Sequence, residues 1–408
     1  MRILFLTQWF DPEPTFKGLA FARELVRRGH EVEVLTGFPN YPGGRVYPGY
    51  RIRSRQREVV DGIRITRVAL YPSHDRSAVG RVANYLSFAI SAATIGVCSV
   101  RRADVAYVYH PPATIAFPAM VLKLLRRVPF VLDIQDLWPD TLAATGMVGN
   151  RTVLGAVGWF CRLAYRSAAR IAVLSPGFKA RLIERGVPAE KIEVIYNWCN
   201  EAAISQAQPD APILAEAGMK GRFNVIFAGT MGKAQALASV LQAAKLVAER
   251  EPRVQFVFVG GGVEVATLKG EAAALGLDNV RFLPVRPASE VGPLFAAADV
   301  LLVHLRDDPL FAITIPSKTQ AYLASGRPIL MAVRGDAADL VRNADAGVYV
   351  EPENPDAIAA AICEMAGLPS GELTAVGERG RAFYQEHLTL ASGADRFENL
   401  LRSAACGA

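Results

Sequence analysis

The chain has 408 residues, 51% hydrophobic and 21% charged, which is too long for one ordinary domain, suits two of about 200 residues, and is too apolar for intrinsic disorder. Its five cysteines, Cys98, Cys161, Cys199, Cys363 and Cys406, are odd in number, widely spaced and without a C-x-x-C pair; this argues against a disulfide framework or a structural zinc site and fits a reducing cytoplasm. The net charge of +6 joins unlike halves: residues 1–200 hold 27 Lys and Arg against 15 Asp and Glu (+12), and residues 201–408 hold 18 against 24 (−6). The basic half predicts an anionic partner, whether nucleic acid, an anionic membrane or a phosphorylated substrate, unless it is simply a solvated face.

Short apolar runs alternate with helical patterns along the chain. Ile3–Thr7 predicts a buried strand; the apolar stretch is too brief for a signal-peptide core and reaches Asp11 with no small-residue cleavage site. Thr15–Arg28 predicts a helix, with Leu19, Ala22 and Val26 on one face and Gly29 as its stop. Glu31–Thr36, Ile63–Ala69, Asp104–Tyr109, Phe130–Ile134, Arg170–Ser175 and Ile192–Tyr196 follow as strands, with one helix at Ala113–Arg127 and another that Ser175 caps. The pattern restarts at Asn224–Ala228, passes a helix at Ala236–Glu249, and continues through Val254–Val259, Val280–Leu283, Val300–Val303, Pro328–Ala332 and Gly347–Val350. Such alternation predicts an α/β fold of parallel sheets with helices on both faces. Two series predict two Rossmann-like, doubly wound domains, 1–198 and 221–388, with a linker at 199–220 and a C-terminal helix at 389–408 returning to the first domain. Ligands of such sheets bind beyond the carboxyl ends of strands, so the site is expected in a central cleft where the two sheets face each other.

Residues 82–100 hold no charge and are followed by Arg101-Arg102. That length is marginal for a transmembrane helix, and a buried core helix, a membrane-surface helix and a span all fit the pattern. Leu122-Lys123-Leu124-Leu125-Arg126-Arg127 is similarly apolar with a basic edge, as helices of the interfacial layer are.

Four segments carry candidate chemistry. Lys17 and Gly18 open a helix, where free N–H groups favour an anion, although an ordinary βα turn explains the loop equally well. Val225–Gln235 runs from a strand through Gly229 to Lys233 and Gln235, a cradle of amides plus one cation suited to a diphosphate. Phe258-Val259-Gly260-Gly261-Gly262 is a second glycine turn, best explained by close packing. In Ile315–Pro328, Pro316 suits a first helical turn, which places Ser317 and Lys318, then Thr319 and Gln320, where the helix dipole and charge together favour phosphate. In the first half, Asp133-Ile134-Gln135-Asp136-Leu137-Trp138-Pro139-Asp140 follows a strand; Asp136 is best placed to accept or orient a proton, with His110 as its neighbour or as a structural residue. No G-x-G-x-x-G, Walker A or nucleic-acid motif occurs.

Together these segments resemble the retaining glycosyltransferases of family 4, with the GT-B fold. The likeness covers nearly the whole chain, from Glu24–Val32 through Val194-Ile195-Tyr196-Asn197, Asp278–Leu283 and Ala297-Ala298-Asp299-Val300 to Gly326-Arg327-Pro328-Ile329. Asp136-Leu137-Trp138-Pro139 and Ile315–Tyr322 are most similar to the branch of fucosamine- and fucose-transferring enzymes of O-antigen and colanic acid synthesis. One departure stands out: the family's two glutamates, which contact the donor sugar and the ribose, align with Ile313 and Ala321. A deoxy sugar is consistent with that loss.

The resemblance implies transfer of a deoxy or acetamido hexose, such as N-acetylfucosamine, from a UDP-linked donor to a lipid-linked saccharide of a surface polysaccharide (O-antigen, capsule or exopolysaccharide). It implies no cofactor and no metal, and a peripheral position on the cytoplasmic face of the inner membrane. Lys318 and Lys233 would neutralise the departing diphosphate, Gly229, Gln235, Ser317, Thr319 and Gln320 would line the donor, and the amides near Gly18 would assist. The base would lie near Arg286 and Pro287. Nucleotide-sugar epimerisation and a binding subunit without catalysis are the alternatives.

Overall fold

A computed structural model describes residues 1–73, 78–110, 112–144, 147–204, 209 and 211–407; residues 205–208 and 210 of the expected linker lie outside the described residues. The chain divides into two compact units, Met1–Tyr196 with Ala391–Ala408, and Asn197–Leu390.

The first unit is built on β1 (Arg2–Thr7), β2 (Glu31–Gly37), β3 (Arg55–Val60), β4 (Ile63–Val68), β5 (Val105–His110), β6 (Phe130–Ile134), β7 (Arg170–Val173) and β8 (Ile192–Val194), in the order β3-β4-β2-β1-β5-β6-β7-β8. All neighbours are parallel except β3 and β4. Central strands are apolar on both faces, as in Val105–Val108, because helices cover both sides of the sheet. Strand β3 was not foreseen. Its residues Arg55-Gln56-Arg57-Glu58 are polar, and only an edge strand paired on one side tolerates that. A signal was nevertheless present: Asp61 and Gly62 both take positive φ, the two-residue hairpin that Asp-Gly favours.

The second unit holds β9 (Phe223–Ala228), β10 (Val254–Val259), β11 (Val280–Leu283), β12 (Val300–His304), β13 (Ile329–Ala332) and β14 (Gly347–Tyr349), ordered β11-β10-β9-β12-β13-β14 and wholly parallel. Each sheet reverses its winding direction once, between β1 and β5 and between β9 and β12. Doubly wound sheets bind ligands at the carboxyl ends of such strands.

Local chemistry sets the helix ends. Ser175 Oγ accepts from Phe178 N at 3.1 Å, and Asn150 Oδ1 accepts from Thr152 N at 2.9 Å, each supplying an N-cap. Gly29 takes φ 84 after the helix Leu19–Arg27, the left-handed stop of a Schellman turn. The predicted start of that helix at Thr15 moves to Leu19, because residues 8–18 form a loop. The C-terminal helix Leu390–Cys406 lies with the first unit: Phe397 packs on Phe21 and Tyr107 at 5.4 and 5.3 Å between ring centres. Val79–Ser99 is continuously helical, with a π-turn at Ala92–Gly96, and by length and composition alone could cross a membrane. Phe88, Ala89, Ala92 and Val97 on one side of it are buried in the sheet core. Of the three readings of 82–100, the fold therefore realises a core helix with an apolar outer edge.

Candidate active site

In the first unit, the loop after β1 is pinned from several directions. Glu13 accepts from the backbone N–H groups of Phe10 (3.1 Å), Asn40 (2.7 Å) and Tyr41 (2.7 Å), which ties it to the chain leaving β2. Burial nevertheless raises its pKa to about 7, outweighing those donors. Asp11 Oδ2 accepts from Leu19 N at 2.6 Å, so the chain's own carboxylate occupies the N-terminus of this helix. A Cβ on Gly18 would lie 2.2 Å from that oxygen. Gly18 thus makes room for Asp11, and the amide expected to greet an external anion is already engaged.

Lys17 also departs from its expected role. Its ammonium binds Asp133 Oδ2 at 2.6 Å with both side chains wholly buried. Tyr107 donates its hydroxyl to the same oxygen, and Gln135 Nε2 donates to Oδ1 at 2.6 Å. Burial lowers the Lys17 pKa while Asp133 opposes the shift. An ammonium held this way anchors the loop to β6 and does not reach a donor.

Asp136, two residues beyond β6, is placed differently. Burial alone raises its pKa to about 6. Burial raises the hydroxyl pKa values of Tyr41, Tyr85 and Tyr109, and the Asp136 charge adds a smaller push in the same direction. Trp9 stacks on Tyr41 at 4.5 Å, and Tyr85 lies 6.3 Å from Trp9 and 6.2 Å from Trp138. A half-buried carboxylate among aromatic rings, with a pKa near neutrality, is suited to accept a proton from a hydroxyl. His110 ends β5 but is buried, its Nδ1 has no hydrogen-bond partner among the described residues, and burial lowers its pKa to about 4. Its imidazole is therefore neutral at pH 7 and buried at the end of β5.

In the second unit, Gly229 follows β9 with φ 137 and donates its N–H to Val259 O at 2.9 Å. Met231 N donates to Gly261 O at 2.7 Å. A Cβ on Gly260 would lie 2.0 Å from Gly229 O, and one on Gly262 would lie 2.2 Å from Met231 O. The second glycine turn therefore exists for backbone packing against the first. Gln235 Oε1 accepts from Gly232 N at 3.0 Å, which curls the loop. Lys233 at the start of this turn is exposed.

Lys318 lies in the first turn of the helix Ser317–Ser325. Its Nζ sits 3.4 Å from the centre of the Phe227 ring, and a Cβ on Gly229 would lie 3.1 Å from Nζ. The ammonium is shielded from solvent and has no hydrogen-bond partner among the described residues. Burial lowers its pKa to about 7. Among the described residues the Phe227 face is what compensates it, and a cation–π contact is a partial substitute for an anion. Thr319 Oγ1 is likewise buried without a partner there, and Ser317 is exposed at the helix start. Gln320 turns its amide nitrogen to Pro316 O and Ser317 O, 3.1 Å each, and so closes its own helix instead of a ligand. Arg286 pairs with Glu290 at 3.4 Å.

The two acids upstream of Ile313 are engaged within the protein. Asp308 caps Leu310 N at 2.9 Å and pairs with Arg306 at 3.1 Å, while Asp307 meets Arg334 at 3.5 Å. No group of three potential metal ligands occurs among the described residues.

Sequence reasoning missed two supports of this site. Tyr322 is fully buried, and its hydroxyl accepts from Ala228 N at 2.9 Å, holding the end of β9 where the glycine loop begins. His304 ends β12; Glu353 N donates to its Nε2 at 3.1 Å, so Nδ1 carries the proton toward Gln235 O at 2.7 Å. Burial lowers its pKa. A helical Tyr in Gln320-Ala321-Tyr322 and a strand-end His were visible, but their partners lie 94 and 69 residues away.

Each unit is built on a Rossmann-like, doubly wound sheet, and two such units in one chain are the architecture of the GT-B glycosyltransferases. The chain belongs to the family 4-like glycosyltransferases: residues 19–198 match the Glycosyl transferase 4-like domain and residues 222–367 match Glycosyl transferases group 1. It is 28% identical over 384 residues to WcaI of Escherichia coli (strain K12), named for a glycosyl transferase role in colanic acid biosynthesis, covering 90% of this chain and 93% of that one. It is 24% identical over 375 residues to the uncharacterized glycosyltransferase MJ1607 of Methanocaldococcus jannaschii, covering 88% and 87%. The fold matches the GT-B structure of HepE from Anabaena in complex with UDP and glucose (TM-score 0.69, 17% identity, 98% and 99% covered). It also matches the trehalose 6-phosphate synthase of Burkholderia multivorans (TM-score 0.75, 15% identity, 100% and 97% covered).

Proposed function

We propose that this protein is a retaining glycosyltransferase of surface polysaccharide synthesis. It moves a deoxy or acetamido hexose, of the N-acetylfucosamine kind, from a UDP-linked donor to a lipid-linked saccharide at the cytoplasmic face of the inner membrane. The observation that carries the reading is Lys318: a shielded, uncompensated ammonium against the Gly229 loop, at the switch point of a doubly wound sheet. A donor diphosphate supplies the anion this cation lacks. The likeness to WcaI supports the polysaccharide assignment, and HepE, solved with UDP-glucose, supports a nucleotide-sugar donor.

In this mechanism the anomeric C–O bond to the diphosphate breaks, and its electron pair goes to the leaving phosphate oxygen. Lys318 stabilises that charge, together with exposed Lys233 at the adjoining turn and the first-turn amides of Ser317–Ser325. The acceptor hydroxyl adds to the same face of the sugar, which retains configuration without a protein nucleophile. The first unit's candidate to take its proton is Asp136, whose carboxyl pKa is pushed up to about 6 by burial. Ile313 and Ala321 stand where related enzymes have the glutamates that contact the donor sugar and the ribose, and a deoxy donor sugar is consistent with loss of the first contact. Their absence also motivates the second reading, a binding subunit without catalysis.

The test supplies membranes with a panel of UDP- and GDP-linked sugars and follows label into the lipid fraction. Transfer from a UDP-linked deoxy or acetamido hexose is expected. Donor binding by calorimetry without transfer from any member of the panel would refute catalysis and favour the binding subunit.

A further inference from the structure

A second cationic site lies at the opposite edge of the first sheet from Asp136. A hollow of about 520 Å³ is lined by Lys123, Arg127, Pro129, Ala169, Arg170 and, from the C-terminal helix region, Ser403, Ala404 and Gly407. Pro129 and Ala169 immediately precede β6 and β7, so the hollow opens at the amino ends of those strands. The five residues of β6 separate it from Asp136 by about 17 Å. Among the described residues its lining has three cations and no Asp or Glu.

The cations are held by carbonyls rather than by acids. Lys123 Nζ donates to Ser167 O at 2.8 Å, Arg170 donates to Glu190 O at 3.0 Å and Ser403 Oγ at 3.2 Å, and nearby Lys191 donates to Tyr165 O and Arg166 O at 2.6 and 3.0 Å. Lys123 and Lys191 thereby close the C-terminus of the helix Arg151–Ser167. That accounts for their positions, and among the described residues no acid pairs with them: after burial, Lys123 and Arg170 are what disfavours the charge on Lys191. Arg127, in the left-handed conformation at φ 56, directs an exposed side chain to the rim.

The surroundings say what kind of anion fits. Three helices pack side by side here, Val79–Ser99, Ala116–Arg126 and Arg151–Ser167, and none of them contains an Asp or Glu. Their outer faces expose Leu86, Ile90, Leu124, Leu125, Trp159 and Leu163, with Leu124 at 80% and Trp159 at 62%. Apolar side chains beside cations, with acids absent, complement the boundary between acyl chains and anionic headgroups.

We propose that the Lys123–Arg127–Arg170 hollow is a discrete phosphate site that seats the headgroup of an anionic membrane phospholipid, with Leu124 and Leu125 entering the acyl boundary beside it. The proposal rests on the membrane-face reading of the enzyme and adds a built lipid site to it, separate from donor and acceptor.

The test measures partition of the full chain onto vesicles of phosphatidylcholine with and without phosphatidylglycerol. Two charge-matched pairs are compared: Lys123→Gln with Arg127→Asn, which removes two hollow cations and keeps a residue tolerant of positive φ, and Arg151→Gln with Arg162→Gln, two exposed cations of the helix Arg151–Ser167 outside the hollow's lining. Diffuse attraction, worth about 1 kcal/mol per cation, weakens both pairs equally. A built site weakens the hollow pair at least about tenfold more than its control, with thermal melting confirming that both variants are folded. Equal loss overturns the site and leaves membrane attachment standing. No partition of the wild-type chain onto phosphatidylglycerol vesicles overturns both. Saturable binding of inorganic phosphate, lost in the hollow pair, without vesicle binding overturns the lipid assignment in favour of a soluble anion.

Discussion

Replacing Lys318 by Met separates function from stability. Met keeps the apolar stem over Phe227 and removes the ammonium. In the free protein that ammonium is a burden: burial moves its pKa from 10.5 to about 7, which corresponds to about 4–5 kcal/mol of disfavoured charging. The residue as a whole is partly exposed although Nζ is shielded, so about 2–3 kcal/mol is the more realistic gain in stability on substitution. The sign follows from proton binding. Between pH 7 and 10.5 the unfolded chain binds more protons than the folded one at this position, so the penalty is full below about pH 7 and vanishes above 10.5. Lys318→Met should therefore raise the melting temperature at pH 7, by about 5 °C or more for a unit of this size. Turnover should fall by about 10²–10³, as when a group facing developing negative charge is removed. Thermal melting and the label-transfer assay, run on the same preparation, read the two effects. A lower melting temperature with near-wild-type transfer would show that Lys318 is a packing residue and would remove the ground for a diphosphate at this loop.

Three further outcomes follow from the geometry. Because Asp136 titrates at about 6, transfer should lose activity as pH falls through that value; Asp136→Asn should lower the rate by about 10²–10⁴ and abolish that acid limb, whereas an unchanged pH profile would remove Asp136 from proton transfer. Asp133→Asn leaves Lys17 buried without its counter-charge, which should cost about 3–5 kcal/mol; a denaturant melt showing less than about 1 kcal/mol would mean that the pair is not closed as described. Gly260→Ala puts a Cβ 2.0 Å from Gly229 O at a φ of +141, so it should destabilise by several kcal/mol and weaken donor binding by shifting the Gly229 loop; calorimetry with UDP showing wild-type affinity would contradict the tight loop packing.

Much of the fold was legible because its signals are local. Thirteen of the strands announce themselves as apolar runs separated by helical patterns, and parallel sheets covered on both faces require such runs. β3 escaped because an edge strand needs no apolar run. The candidate site was less legible, and for one physical reason: a polar side chain's role depends on what occupies the space around it. Lys17, Gln235 and Gln320 had the right chemistry in the right segments, yet each is bound within the protein by Asp133, Gly232 or Pro316. Lys318 was chosen for its helix start, but nothing local revealed that its ammonium rests on the Phe227 ring with no hydrogen-bond partner among the described residues.

The sequence by itself therefore determined the architecture, the two glycine loops and the pool of candidate groups, since periodicity, turn chemistry and the order of motifs are written along the chain. Only the tertiary structure decided which of those groups remain free. Asp133, Asp11 and Tyr322 reach partners far away in sequence or across a loop, and it is these contacts, together with loss of water, that turn one lysine into an anchor and another into an unmatched charge. The basic first half sharpened in the same way. Its +12 became a face of three helices without acids and a hollow of three cations, because folding brought Lys123, Arg127 and Arg170 to one strand edge that no stretch of sequence contains.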